Sequence, residues 1–115
     1  MKTLIFTATY NEHSNIEKFI NKVFSLNCKL DLLIIDDNSP DKTFEKIINL
    51  KKKFKKLKLI VRKKKEGLDT AHKLAYSYAK KWQYDILITM DADLSHDPKE
   101  IPNFLIKSLY NENIY

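Results

Sequence analysis

The sequence predicts an α/β fold of three layers, in which a mainly parallel sheet lies between helices. Four short apolar runs alternate along the chain with four segments whose apolar residues recur at helical spacing. The sequence contains no internal repeat and no linker, so residues 1–115 are expected to form one region. Alternation of this kind implies parallel strands that are joined by helices on both faces of the sheet.

The first half of the chain predicts two strands and two helices. Residues 2–8 and 31–36 are the strands, because each contains a continuous apolar run. A capping box from Ser14 to Glu17 predicts the start of the first helix, and Asp41 is expected to cap the second. The apolar faces are formed by Ile16, Phe19, Ile20, Val23 and Phe24 in the first helix and by Phe44, Ile47 and Ile48 in the second.

The second half continues the alternation. Residues 57–61 and 85–90 are predicted strands, and a helix with a clean apolar stripe lies between them. Asp97 and Pro98 have the residue types of an N-cap and a first helical position, so a fourth helix should begin there. The stripes consist of Ala71, Leu74, Ala75, Tyr78, Ala79 and Trp82 in the third helix and of Ile101, Phe104, Leu105 and Leu109 in the fourth.

Polar residues follow the predicted strands, at the points where each strand ends. In a parallel sheet all strand-to-helix turns lie at the same edge, which is where ligands bind. Residues far apart in sequence should therefore converge there, namely Tyr10, Asn11, Glu12, Asp36, Asp37, Lys65, Gly67, Asp91 and Asp93. Gly67 is the only glycine of the chain, and we expect it to supply a backbone angle that other residues disfavour.

Asp91 and Asp93 are candidate metal ligands. Two residues apart, their carboxylates can turn to one side and offer hard oxygen atoms to Mg²⁺ or Mn²⁺. Taken alone, an Asp-x-Asp pair also occurs in turns that are merely capped and solvated. The sequence has no glycine-rich phosphate loop, so binding of a diphosphate would depend on metal, carboxylates and helix N-termini. His13 and His72 have no acid or cysteine at metal-ligand spacing and are not predicted site residues.

The net charge of +6 is concentrated in residues 51–65, which contain ten of the basic residues. Three interpretations were weighed: a solvated helix end followed by an edge strand guarded by lysines, a membrane-binding surface, and a nucleic-acid surface. Nucleic acid is not predicted as a partner, because neither interleaved aromatic residues nor a nucleic-acid motif accompanies the charge. The single cysteine, Cys28, and the lack of a signal peptide or membrane span predict a cytoplasmic location.

Four motifs in order along the chain carry a resemblance to a known family. They are Thr9-Tyr10-Asn11-Glu12, Asp36-Asp37-Asn38-Ser39-Pro40-Asp41, Lys65-Glu66-Gly67-Leu68 with Thr70-Ala71, and Met90-Asp91-Ala92-Asp93-Leu94-Ser95-His96-Asp97-Pro98. Together they resemble the family 2 glycosyltransferases of GT-A fold, and most of all those that transfer mannose to dolichol phosphate or polyprenol phosphate. The resemblance covers nearly the whole chain.

The resemblance implies transfer of mannose from GDP-mannose to a polyprenyl or dolichyl phosphate, with inversion at the sugar carbon. It implies that Asp91 and Asp93 are the catalytic pair and hold Mg²⁺ or Mn²⁺, with Ser95 as a further metal ligand. The nucleotide-binding residues carried over by position are Tyr10, Glu12, Asp36, Asp37, Lys65, Gly67 and Ala92, of which Asp37 would contact the base. The resemblance also implies that the full-length protein is bound at the cytoplasmic face of a membrane.

The sequence departs from the family pattern at Ala8, where proline is usual, and at Lys42 and Asp69, where glycine is usual. The acceptor half of the fold is expected to be absent from these 115 residues, so the isolated chain is expected to be inactive. Two other functions were considered, a non-catalytic nucleotide-binding module and a Mg²⁺-dependent phosphoryl-transfer or receiver-like domain. The second is disfavoured because no lysine follows at a later strand end.

Overall fold

The computed structural model describes residues 2–26, 29–64 and 66–92. Several sequence predictions fall outside these ranges. They concern Cys28, Lys65, Asp93, Ser95 and the fourth helix, which was predicted to begin at Asp97 and Pro98.

The described residues form one four-stranded parallel sheet. Its strands are β1 (Thr3–Thr9), β2 (Asp31–Asp36), β3 (Leu57–Val61) and β4 (Ile86–Thr89), in the spatial order β3-β2-β1-β4. All four predicted strands are therefore confirmed, with ends within a residue or two of the expected positions. The chain builds outward from β1 to β3 and then crosses back to place β4 on the other side of β1, so the strand order reverses between β1 and β4.

Three helices cover the two faces of the sheet, as the three-layer prediction requires. They are α1 (Ile16–Phe24), α2 (Thr43–Lys51) and α3 (Leu68–Lys81). Successive residues of β1 point to opposite faces, so Ile5 packs in the core under α1 and α2, while Leu4 and Phe6 pack under α3. Burial of both faces explains why β2 and β4 contain continuous apolar runs.

The predicted capping box of the first helix is wrong. Helix α1 begins at Ile16 with Asn15 as its N-cap, and no side chain caps it. The Glu12 carbonyl accepts hydrogen bonds from the backbone N–H groups of Asn15 and Ile16 at 3.0 and 2.9 Å, so a backbone turn rather than a side-chain cap leads into the helix.

The start of the second helix differs by one residue from its prediction. Lys42 is the N-cap of α2, in a left-handed conformation with φ of 60°, and its side chain makes no cap bond. Asp41, one residue earlier, still serves the helix, because its Oδ1 accepts the Thr43 N–H at 3.0 Å. Glycine adopts the left-handed backbone found at Lys42 more readily than lysine does.

The apolar stripes are confirmed at most positions, with two corrections. Ile48 of α2 is 48% exposed, because the buried face of that short helix is narrow and is occupied by Thr43 and Ile47. Trp82 is 51% exposed, because α3 ends at Lys81 and the C-cap residue leaves the helical face. In the part of the chain that the structure describes, no helix combines the length and apolar character that crossing a membrane requires.

Candidate nucleotide and metal site

The turn after β2 is organised around the carboxylate of Asp36. Asp36 lies beside Thr9 at the ends of paired strands and is fully buried. Its Oδ1 accepts hydrogen bonds of 2.6 Å from the hydroxyl groups of Thr9 and Ser39, and its Oδ2 accepts the Ser39 N–H at 3.0 Å. This carboxylate therefore shapes the turn from inside, and the structure gives no open path from its oxygen atoms to a nucleotide.

The turns that follow β1 and β2 are joined side by side. The Asn11 N–H donates to the Ser39 hydroxyl at 3.0 Å, and the Glu12 N–H donates to the Thr43 hydroxyl at 3.1 Å. Asp41 completes the junction, since its Oδ2 accepts the His13 N–H at 3.1 Å. Two segments that are about 30 residues apart in the chain thus form one rigid wall at the carboxyl edge of the sheet, as the sequence predicted.

Asp41 is an ionised member of this wall at neutral pH. Its slight burial alone would raise the pKa of the carboxyl group, but donors outweigh that effect. The Thr43 hydroxyl and the N–H groups of His13 and Thr43 all donate to the carboxylate, and the His13 side chain adds a favourable charge, so the pKa is lowered from 3.8.

Asp37 forms a buried ion pair with Arg62, the residue that follows β3. Arg62 donates from Nε to Asp37 Oδ1 and from Nη2 to Asp37 Oδ2, the second bond being 2.9 Å long. Both side chains are about nine-tenths buried. Asp37 Oδ2 also accepts the Glu66 N–H at 3.2 Å, so the pair links the turn after β2 to the turn before α3.

A cavity of about 150 Å³ opens at the carboxyl edge between β1 and β4, where the strand order reverses. Open α/β sheets bind ligands in the crevice at such a reversal. Asp91 and His72 contribute its most polar side chains, and the other residues around it are Phe6, Ala8, Leu68, Thr89 and Met90. His72 packs against Phe6 with a ring-centroid distance of 5.3 Å in an edge-to-face arrangement.

The other predicted nucleotide residues have mixed surroundings. Tyr10 is exposed at the end of β1, and Glu12 is half-buried in the wall beside it. Gly67 precedes α3 with φ of 94°, which confirms the expected need for glycine. Ala92 is buried in the core under α1 and α2.

Of the three predicted metal ligands, Asp91 lies within the described residues, whereas Asp93 and Ser95 lie outside them. Asp91 is exposed at the strand end and offers the hard carboxylate oxygen atoms that Mg²⁺ and Mn²⁺ prefer. Within residues 2–92 where the structure describes them, no three histidine, cysteine, aspartate or glutamate side chains are grouped to hold a metal. The residue types present thus fit a divalent cation, and completing its ligand set requires the positions beyond Ala92.

Two residues of this edge were not predicted from sequence. By sequence Arg62 is one member of the basic run in residues 51–65, but in the structure it is buried against Asp37. Its position directly after a strand, like that of Asp37, was the available signal. His72 has no metal-ligand partner nearby in sequence, and its contact with Phe6 depends on how α3 packs on the sheet, so no local signal identifies it.

The chain matches one protein family and is similar in sequence to proteins named as mannosyltransferases. A model of the family described as Glycosyl transferase family 2 matches residues 4–113. The dolichol-phosphate mannosyltransferase of Pyrococcus furiosus is 34% identical over 113 residues, which are 96% of this chain and 31% of that protein. The undecaprenyl-phosphate mannosyltransferase of Micrococcus luteus is 30% identical over 105 residues, 91% of this chain and 43% of that protein. This chain thus spans about a third to two-fifths of these relatives.

Solved structures share the same fold. The mannosyltransferase PcManGT from Pyrobaculum calidifontis, in complex with GDP-Man and Mn²⁺, superposes with a TM-score of 0.81 at 20% identity, over 95% of this chain and 32% of that one. S. aureus TarS in complex with UDP-GlcNAc gives a TM-score of 0.76 at 19% identity, over 96% of this chain and 31% of that one. At these identities the likeness establishes the fold alone, and it confirms the predicted three-layer, Rossmann-like architecture.

Proposed function

This chain belongs to glycosyl transferase family 2, and from that premise we propose that it provides the donor-nucleotide site of an enzyme that transfers mannose from GDP-mannose to a polyprenyl or dolichyl phosphate. The observation that carries the proposal is the cavity at the strand-order reversal, with Asp91 in its wall and the joined turns after β1 and β2 beside it. The names of the relatives support the sugar and the acceptor.

In this proposal, residues at the carboxyl edge of the sheet bind each part of the nucleotide-sugar donor. On this assignment Tyr10, Glu12 and Asp37 line the nucleoside pocket, and Lys65 and Gly67 are further nucleotide-binding residues. Asp91, with Asp93 and Ser95, would hold Mg²⁺ or Mn²⁺. When bound, such a cation neutralises charge on the diphosphate and on the departing nucleoside diphosphate. Asp36 acts indirectly, since its buried bonds hold the turn that presents Asp37.

The proposed reaction does not need a general base. An oxygen atom of the lipid phosphate attacks the anomeric carbon, and the bond from that carbon to the diphosphate breaks on the opposite face, so the configuration inverts. The attacking phosphate is already ionised at neutral pH, and the diphosphate leaves as an anion. The lipid acceptor also makes a membrane surface at the cytoplasmic face a proposed partner, whereas nucleic acid is not proposed.

The test is ligand-dependent thermal unfolding of the 115-residue chain with GDP and Mn²⁺. At a ligand concentration about a hundredfold above Kd, binding should stabilise the chain by about 2.7 kcal/mol and raise Tm accordingly. Asp91→Asn should remove most of that shift, since it weakens the metal site while leaving the fold intact. Glu45→Gln, an exposed carboxylate on α2, is the matched control and should retain the full shift.

Two results would count against the proposed site. One is a wild-type chain whose Tm does not respond to GDP with Mn²⁺. The other is an Asp91→Asn chain that responds as strongly as the Glu45→Gln control, which would place the bound cation elsewhere.

A further inference from the structure

Arg62 is a charged side chain that the fold buries among hydrogen-bond acceptors. It is 8% exposed, and its guanidinium group contacts three segments of the chain. Beyond its two bonds to Asp37, Nη2 donates to the Gly67 carbonyl at 3.0 Å and Nη1 donates to the Thr70 hydroxyl at 2.7 Å. One side chain thus fastens the turn after β2 to the first turn of α3.

The same bonds determine how much hydrogen-bonding capacity Asp37 retains. An ionised carboxylate has about four acceptor positions, two on each oxygen. Asp37 Oδ2 accepts from Arg62 Nη2 and from the Glu66 N–H, and Oδ1 accepts from Arg62 Nε. Among the described residues nothing else donates to this carboxylate, so one acceptor position on Oδ1 is left for a ligand.

We propose that Arg62 is a positioning residue of the donor site, which orients Asp37 so that its remaining acceptor meets one N–H group of the nucleobase. The inference rests on the proposed function and extends it to a residue outside the nucleotide-binding set. Four of the five N–H donors of Arg62 bind Asp37, Gly67 and Thr70, and its side chain is about nine-tenths buried, so we assign its effect to the orientation of Asp37 rather than to direct contact with the nucleotide. Its bonds to Gly67 and Thr70 anchor the guanidinium group, so that Asp37 is held against α3 rather than left to rotate.

Lysine cannot take over this task. Its ammonium group is a compact charge without the planar fork that makes two parallel bonds to a carboxylate and further bonds to a carbonyl and a hydroxyl. Arg62→Lys therefore keeps the charge beside Asp37 but releases its orientation. The effect should fall on the nucleoside side of the site, whereas the diphosphate side is held by the cation at Asp91.

The experiment is isothermal titration of the full 115-residue chain with two ligands, GDP and inorganic pyrophosphate, each with Mn²⁺. Arg62→Lys should weaken GDP binding by about tenfold, which is about 1.4 kcal/mol. It should leave pyrophosphate binding within twofold of wild type. Lys63→Gln, the exposed neighbour, loses a positive charge without touching the Asp37 network and should bind both ligands as wild type does.

A positioning role is overturned if Arg62→Lys binds GDP as tightly as wild type, or if both ligands are weakened equally, since the second result means general loss of structure. If Arg62→Lys does not fold, Thr70→Val serves instead: it removes the acceptor of Nη1, together with the bonds that the hydroxyl donates to the Glu66 and Gly67 carbonyls, and should weaken GDP binding about threefold with pyrophosphate binding unchanged. No change in GDP binding would refute the anchoring. The proposed function fails separately, through absence of GDP binding in the wild-type chain.

Discussion

Two threonines of β1 point to the same face of the sheet, but they differ in whether the hydroxyl group has a hydrogen-bond partner. Thr7 and Thr9 are both buried, and they lie two residues apart on the side of the sheet that α1 and α2 cover. The Thr9 hydroxyl donates to Asp36 at 2.6 Å. The Thr7 hydroxyl has no hydrogen-bond partner, and it is the single such buried side-chain atom in the described part of the chain.

These surroundings predict opposite effects of the same substitution. Thr7→Val should stabilise the fold by about 1 kcal/mol, because it removes an unsatisfied buried hydroxyl and keeps the side-chain shape. Thr9→Val should destabilise it by about 2 kcal/mol, because the Asp36 carboxylate loses a donor in a buried site. Urea unfolding of the two variants measures both changes, and a shift in the same direction for both would contradict the assignment.

Sequence reasoning located some site residues and missed others for a physical reason. Asp37 and Asp91 could be found because strand ends in a parallel sheet meet at one edge, whatever the details of packing. Arg62 could not be separated from its lysine neighbours, because its burial depends on a partner 25 residues away. A role for Asp36 in fixing the turn after β2 could be foreseen from its position at the strand end, but its partners Thr9 and Ser39 could not.

At the scale of elements, periodicity predicted the helices well but predicted their ends poorly. The reason is that several ends are closed by backbone conformation rather than by capping side chains. With a single glycine in the chain, the left-handed positions are filled by larger residues, namely Asn11, Asn38, Lys42 and Gln83. The residue types lysine and glutamine do not predict a left-handed conformation, so these turns at Lys42 and Gln83 could not be predicted from the sequence.

The C-terminus of α3 can be used to test what a left-handed backbone costs in stability at a residue other than glycine. Gln83 has φ of 60°, its N–H donates to the Lys80 carbonyl at 3.2 Å, and the Tyr84 N–H donates to the Ala79 carbonyl at 2.9 Å. This is a Schellman motif, in which glycine is preferred at the left-handed position. Gln83→Gly should therefore raise the free energy of unfolding by about 1 kcal/mol, measured by urea or thermal unfolding.

The control is the same substitution within the helix. Lys80→Gly, in the last turn of α3, should lower the free energy of unfolding by about 1 kcal/mol, because glycine is unfavourable at right-handed helical positions. A loss of stability in Gln83→Gly of similar size would show that the left-handed backbone at Gln83 carries no strain.

At the scale of the whole molecule, the sequence predicted parallel strands in three layers but not their order. The crossing from β3 to β4, which creates the crevice beside Asp91, depends on which side of β1 the last strand joins, and apolar periodicity is the same for either side. The parallel direction of the strands also fixes the edge at which one lysine of the basic run lies. Lys56 directly precedes β3 and lines a groove with Lys2 and Lys29 at the amino edge, opposite the candidate site.

The position of β3 at the edge of the described sheet gives the lysine run a further testable role. Lys58 lies within β3, between the apolar residues Leu57 and Leu59, and is half-buried. An edge strand exposes unpaired backbone groups, and a charge within it opposes pairing with a second copy. Lys58→Val creates an uninterrupted run of five apolar residues in this strand, which should promote self-association.

Light scattering at rising protein concentration should show aggregation of Lys58→Val. Lys55→Val, which changes an exposed residue before the strand, should remain as monodisperse as wild type. Equal behaviour of the two variants would mean that Lys58 does not guard the edge and that its charge serves another purpose.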